Sequence, residues 1–280
     1  MTTDASFGAS QPSSMGIFGR GLRGPPVVAF INAAKTSVLI DGQNYDDYSF
    51  TSSGSITFGQ GMLVNALIVG AGGEGGTGFG GGGGAGQYIA QDITVSSQTY
   101  AVTVGVCVSS GASYTGSNGG DTVALGVTAI GGGGGGGASQ YFAVDGASGG
   151  GSALGGARGV GLAGFNGGLG SGSGNRGGGG GGGASGLGGA GGFWGGPGGT
   201  GIINTFFTAG IKYCTGGNGG SNYTAASSLQ GYPSGVGGAQ QIRGTAGAAN
   251  TGAGGGGGGT GNGGEGGIGG SGVVKIRVAV

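Results

Sequence analysis

Gly252-Ala253-Gly254-Gly255-Gly256-Gly257-Gly258-Gly259-Thr260-Gly261-Asn262-Gly263-Gly264-Glu265-Gly266-Gly267-Ile268-Gly269-Gly270-Ser271-Gly272 runs without a break into Val273-Val274-Lys275-Ile276-Arg277-Val278-Ala279-Val280. The first part is phased by three. Gly252 through Gly270 supplies glycine at every third residue, a second row is mostly glycine, and the third row carries Ala253, Asn262, Glu265, Ile268 and Ser271. A left-handed extended helix of the polyproline II type has three residues per turn, so each row is one face, and a face made of glycine lets another backbone approach closely. The second part is phased by two. Lys275 and Arg277 alternate with Val274, Ile276 and Val278, the pattern of a half-buried strand, and such a terminal strand is expected to return to a sheet built earlier in the chain.

Both patterns recur upstream. Gly72, Gly75, Gly78, Gly81 and Gly84 keep the three-residue phase, as do Gly177 through Gly201. Short strands are expected at 38–40, 45–50, 55–58, 62–69, 87–95, 99–108, 121–130 and 273–280; Tyr100, Val102 and Val104 alternate with Ala101 and Thr103. The fold class that follows is mainly β and irregular: short strands packed with a bundle of polyglycine II helices, without significant α-helix. Residues 38–130 and 273–280 are the strand-rich part of one domain, 38–280, and 131–272 its glycine helices and loops. Helices of this type have no internal hydrogen bonds, so buried N–H and C=O groups must pair sideways with neighbouring tracts, with Cα–H···O contacts as a supplement. A collagen triple helix does not fit, because the triplet phase breaks between tracts and only 5 residues are Pro. A flexible linker fits poorly, because the glycines alternate with Ile, Phe and Trp rather than with Ser.

Composition sets the energetic problem. Of 280 residues 91 are Gly, and ordering that much glycine carries an unusually large entropic cost. Sideways backbone bonding is the stabilisation that this sequence offers. Lys and Arg number 9 against 9 Asp and Glu, so no basic stripe tracks phosphates and nucleic acid is not expected as a partner. Neither a secretion signal nor a membrane span is expected, since no apolar run approaches the required length. Cys107 and Cys214 read as two unpaired thiols, with one disulfide as the alternative.

Catalytic chemistry finds little support. The chain has 0 His, which removes the commonest general base and any Ser-His-Asp or Cys-His arrangement. Gly146-Ala147-Ser148-Gly149-Gly150 fits a nucleophile-elbow pattern only because glycine is everywhere, and no phosphate-binding loop with its lysine is present. Asp41, Asp46 and Asp47 are close enough in sequence to suggest calcium, but lack the spacing of a calcium loop and read as a solvated turn. The expectation is a protein that is not an enzyme, with no cofactor and no metal. Asn222-Tyr223-Thr224 is a glycosylation sequon that hints only at a surface loop.

Binding is expected where aromatics interrupt the glycine. Phe193, Trp194, Phe206, Phe207, Tyr213, Tyr223 and Tyr232 are the candidate contact residues, with Phe165 beside them. The stretch 202–250 mixes Tyr, Phe, Asn, Ser and Gln, a composition that gives contact area at low entropy cost and adaptable hydrogen bonding. A plug inside the bundle or an oligomer interface is the competing role for Phe193, Trp194, Phe206 and Phe207. Residues 1–37, with sparse apolar anchors such as Phe7, Ile17, Phe18 and Leu22 in a Gly/Ser/Pro setting, read as an N-terminal attachment arm, with a disordered N-terminus as the alternative.

Tyr48-Ser49-Phe50-Thr51-Ser52-Ser53-Gly54-Ser55-Ile56-Thr57-Phe58, followed by Leu67-Ile68-Val69-Gly70-Ala71-Gly72-Gly73, resembles the opening of the glycine-rich domain common in tailed-bacteriophage fibre proteins. Asp92-Ile93-Thr94-Val95, Thr99 to Gly105, Asp121-Thr122 and Thr128 to Gly134 are similar to its central strands, and Gly269 to Arg277 to its closing strand. More loosely the chain resembles detachable tail-tip adhesins, whose glycine-rich domains stack polyglycine helices and present variable loops. The resemblance covers roughly 45–277 and implies a tail fibre or tail-tip adhesin of the virion that binds a host outer-membrane protein or surface glycan. It also implies other phage tail proteins as partners, through 1–37. Fibres are often trimeric and tip adhesins can be monomers; a homotrimer joined through the N-terminal region is the expected assembly. A virion structural protein without receptor contact is the alternative. An ice-binding protein would need a regular row of small residues and no long irregular loop, which 202–250 contradicts.

Overall fold

The structure is a computed structural model that describes residues 28–111, 115–138, 142–172, 177–207, 210–222, 234–260 and 264–280. Among the described residues twelve strands follow in chain order: β1 Val28–Ile31, β2 Ala34–Ile40, β3 Gln43–Phe50, β4 Gly54–Phe58, β5 Met62–Val69, β6 Tyr88–Val95, β7 Thr99–Val102, β8 Thr122–Ala124, β9 Val127–Ala129, β10 Ile202–Ile203, β11 Lys212–Tyr213 and β12 Val273–Ala279. Among the described residues there is no α-helix, and the fold is mainly β and irregular. One antiparallel sheet has the order β2-β3-β12-β5-β6, a second β1-β4-β7, and β8-β9 and β10-β11 are two-stranded. The closing strand β12 returns as expected and takes the central place, pairing with β3 on one side and β5 on the other.

Local chemistry explains where these strands turn. Asp41-Gly42, both at positive φ (49° and 82°), closes the β2–β3 hairpin in two residues, the arrangement that Asp-Gly favours. Leu125-Gly126 does the same between β8 and β9, with Leu125 at φ 55°. The single strand expected over 121–130 is therefore a hairpin, and its turn lacks the usual Asn or Asp. The expected strand 99–108 pairs continuously only as far as Val102, with isolated bridges at Thr103 and Cys107 beyond it. The boundary drawn at residue 38 falls inside β2, and Val28 to Ile31 pairs with β4, so the described part of the expected arm is strand. Residues 1–27 lie outside the described residues.

The first core is made of side chains. Ile56 and Phe58 of β4 and Val102 of β7 meet Tyr48 and Phe50 of β3, Val64, Ala66 and Ile68 of β5, and Val274, Ile276 and Val278 of β12, all buried between the two larger sheets. Alternation does the sorting, since every second residue of each strand faces inward. On the opposite face of the five-stranded sheet, Leu67, Val69 and Val273 pack with Ala85, Tyr213 and Cys214.

The second core is made of backbone. Tract 80–87 donates N–H bonds in strict rotation: Gly80, Gly83 and Gly86 to Gly258, Gly255 and Gly252; Gly81, Gly84 and Gln87 to Gly136, Gly133 and Ile130; Gly82 and Ala85 to Gly179 and Gly182. Its carbonyls accept from Gly70, Gly73 and Gly76, from Ser148 and Gly151, and from Gly217 and Gly220, all at 2.7–3.0 Å. Six neighbouring segments thus surround one central tract, and none of these bonds is within the tract itself. The approach is too close for a side chain: a Cβ on Gly82 would stand 2.0 Å from the Gly217 carbonyl oxygen, and one on Gly83 2.1 Å from that of Gly73. Within 80–86 Ala85 is the exception, because its methyl faces the apolar cluster around Tyr213.

Side-chain oxygens stand in for backbone carbonyls at some points of the lattice. Asn118 Oδ1 accepts from Gly134 N (2.9 Å), Asn166 Oδ1 from Gly161 N (2.9 Å), Asn218 Oδ1 from Gly198 N (2.7 Å) and Asp121 Oδ1 from Gly131 N (2.8 Å). Glu74, buried inside tract 70–78, receives bonds from Ser109 Oγ, Ser110 N, Ser110 Oγ and Ser117 N at 2.7–2.9 Å, which fastens the segment 107–117 to the lattice. Cys107 and Cys214 are free thiols, and burial pushes both thiols up from their ordinary pKa.

Candidate functional site

The rotation of bonding partners fixes which end of the lattice each aromatic occupies. One end meets the sheets: Val69 leads into Gly70, whose N–H bonds the Gln87 carbonyl one residue before β6 begins. At the far end Gly80 bonds Gly258 and Gly220, Gly220 accepts from Gly178, and Gly178 accepts from Gly196. Phe193 and Trp194 form the turn just before Gly196, so they sit at the far end, 59% and 51% exposed. Asn222, which accepts a bond from Thr260 Oγ1, is at the same end and leads directly into 223–233. Tyr223 and Tyr232 lie outside the described residues.

Phe206, Phe207 and Tyr213 are at the other end. Strands β10 and β11 place Ile202 opposite Tyr213, and Tyr213 is 1% exposed within the cluster that joins sheet to lattice. It is an internal residue, not a surface contact, because its ring fills the space over Leu67 and Val69. The candidate set is therefore split by the length of tract 80–87. Phe165 is 41% exposed on a separate tract.

A buried arginine holds Phe206 and Phe207 against the sheet. Register places Thr36, Asp47, Arg277, Asn65 and Asp92 in one row across all five strands. Arg277, 4% exposed, donates Nε and Nη2 to the two oxygens of Asp47, each at 2.6 Å, and Nη1 to the Phe206 carbonyl at 2.9 Å. Its guanidinium carbon lies 4.4 Å from the Phe206 ring centroid and 5.1 Å from that of Phe207. A planar cation that is bidentate to a carboxylate and stacked on aromatics is a role that lysine does not fill. Asn204 shapes the loop from below: its Oδ1 accepts from the N–H of Phe206 and of Phe207, and its Nδ2 donates to the Tyr88 hydroxyl at 2.8 Å. Asn65 Nδ2 donates to Asp92 Oδ1 on the neighbouring strand.

Two clefts flank Phe206 on this sheet face. One of about 460 Å³ is lined by Ile40, Tyr45, Asn65, Thr205, Phe206 and Arg277. The other, about 190 Å³, shares Asn65 and Phe206 and adds Asp92 and Ala90. Sequence reading missed this row, because nothing local marks Asp47 as the partner of Arg277; the sole hint was an arginine on the polar phase of the closing strand. The three aspartates weighed for calcium diverge. Asp46 faces the sandwich edge, where Lys35 Nζ (2.7 Å) and Ser37 Oγ (2.6 Å) bind it, Asp47 faces the lattice, and Asp41 is in the hairpin turn. Ser148 of the elbow-like pattern is buried in a lattice tract, its N–H bonded to the Ala85 carbonyl.

No curated protein matches the chain. Its family is nonetheless established, since residues 50–279, from the end of β3 through β12, match the family described as glycine-rich domain, and the chain belongs to that family.

Proposed function

We propose that this chain is a bacteriophage tail-fibre or tail-tip adhesin that binds a host bacterial surface receptor and carries out no catalysis. One observation carries the reading: Phe193 and Trp194 are exposed at the end of the lattice farthest from the sheets, where the chain also enters 223–233. Large exposed aromatics on a rigid frame are the usual anchors of a binding surface. The glycine tracts are, in this reading, polyglycine II helices; support comes from the rotation of bonding partners every three residues along 80–87. The sheet end, which contains β1 and the start of β2 from the expected arm 1–37, then faces the other tail proteins of the virion, alone or as a homotrimer.

The test is adsorption of the purified chain to intact bacterial hosts. Trp194→Ala, and separately replacement of 223–233 by a Gly-Ser loop, are expected to abolish binding while the unfolding midpoint stays unchanged. Binding retained by both folded variants would remove the distal end as the receptor contact. A virion structural role without receptor contact is favoured by a second observation, the uncharged exposed residues Leu162, Phe165, Leu169 and Leu187 along the lattice side, which suit packing against another protein. Absence of binding by the parent chain to every permissive host would select that role.

A further inference from the structure

We propose that the two adjoining clefts that share Asn65 and Phe206, at the sheet end of the molecule, form a subsite for a single uncharged sugar ring. It is a separate site from the distal aromatics and does not depend on them.

The chemistry of its lining selects the ligand. Arg277 is already neutralised by both oxygens of Asp47, so it offers no free cation to a phosphate or carboxylate. Asp92, exposed on β6, leaves one carboxylate oxygen beyond the one bonded to Asn65, and Asn65 retains an N–H donor and its carbonyl oxygen. A carboxylate beside a planar amide, on adjacent strands, presents acceptors and a donor at the spacing of neighbouring hydroxyl groups. Tyr45 and Thr205 line the neighbouring cleft, which shares Asn65 and Phe206 with the one that Asp92 lines. Phe206 adds an apolar wall that remains 44% exposed although the guanidinium covers part of it, and sugar rings carry a C–H face that packs on such walls. An anionic sugar would meet Asp92 with no compensating charge. The larger cleft, about 460 Å³, lies in the range of small-molecule sites, and the smaller one that Asp92 lines, about 190 Å³, shares Asn65 and Phe206 with it.

Rigidity argues in the same direction. Asn65, Asp92 and Arg277 are fixed by strand register, and Phe206 by a hydrogen bond and the Asn204 turn, so the polar groups are held before any ligand arrives.

The experiment uses the full chain with methyl glycosides of glucose, galactose, mannose and N-acetylglucosamine, observed by saturation-transfer NMR and titration calorimetry. At least one is expected to bind with a dissociation constant on the order of 1 mM, and Asp92→Ala to weaken it by about tenfold or more. Phe206→Leu is expected to do the same; should it fail to fold, Asp92→Ala decides alone, since its side chain is exposed. Trp194→Ala is expected to leave sugar binding unchanged while host adsorption falls, which separates this subsite from the distal contact. No binding of any of the four sugars, binding indifferent to Asp92→Ala, or preference for glucuronic acid over glucose would each overturn the assignment.

Discussion

The sandwich and the glycine lattice fill their interiors in opposite ways. Between the sheets, Phe50, Ile56, Ile68 and Ile276 remove apolar side chains from water, and the backbone bonds lie at the periphery of that core, within the sheets. Around tract 80–87 the backbones themselves are the interior, bonded to six neighbours, and side chains are excluded. A side-chain core has some slack, because neighbouring rotamers can shift; a backbone core has almost none, because what a new atom would meet is a carbonyl bonded elsewhere. Stability in one region is set by how much is buried, and in the other by how little protrudes.

The sharpest way to break this comparison is to add one methyl group to the lattice and remove one from the sandwich. Gly82→Ala brings a Cβ to 2.0 Å from the Gly217 oxygen, and the expected loss exceeds ~4 kcal/mol, read as failure to fold or collapse of the urea midpoint. Ile68→Val in the sandwich is expected to cost only about 1 kcal/mol in the same titration. If the two were equal, the lattice would have slack after all.

The junction between the regions comes next. Arg277→Met leaves Asp47 without its partner and unfastens Phe206, for an expected loss of about 3 kcal/mol, together with faster amide hydrogen exchange at Phe206 and Phe207. Calorimetry then compares the regions in bulk. Exposing polar backbone lowers the heat capacity of unfolding and exposing apolar surface raises it, so the change per residue should fall below the usual ~12 cal/mol/K. A value at or above that figure would mean that apolar burial dominates the lattice as well.

The smallest effect is expected at the sandwich edge. Burial pushes the Asp46 carboxyl up, but bonds from Lys35 and Ser37 and the lysine charge outweigh it and hold its pKa below the ordinary 3.8. The folded pKa is the lower one, so this contribution is complete above 3.8 and fades as pH falls through the folded value. Asp46→Asn should flatten that acid limb of the stability curve by slightly lowering stability at neutral pH, where the contribution is complete, while leaving the acid end unchanged; the loss is small because Lys35 is largely solvated.

Much of the frame was legible in the chain. The short strand runs at 45–50, 62–69 and 273–280 placed β3, β5 and β12, and in the last the alternation shows why, because a half-buried strand writes its pleat into the sequence. The three-residue glycine phase announced sideways bonding, because close approach permits nothing else on those rows. What escaped was relational. Val28 to Ile31 looked like part of an arm because its partner strand β4 is not its immediate neighbour in the chain. Leu125-Gly126 carried no hairpin signature, since tertiary packing imposes its positive φ. Arg277 and Asp47 stand 230 residues apart, and Phe206 and Tyr213 looked alike as loop aromatics although only the first reaches the surface.

The asparagines that bond lattice amides bear on how the protein ages. Asn118-Gly119, Asn166-Gly167 and Asn218-Gly219 are the dipeptides that most readily cyclise to a succinimide, by attack of the glycine nitrogen on the asparagine side-chain carbonyl. Here each glycine N–H is bonded to the Gly132, Gly159 or Gly196 carbonyl, and each Asn Oδ1 is held by a different backbone donor. Nucleophile and electrophile are both tied away from one another. Deamidation at these three positions therefore requires the lattice to open first, and its rate measures opening events long before any loss of fold is visible.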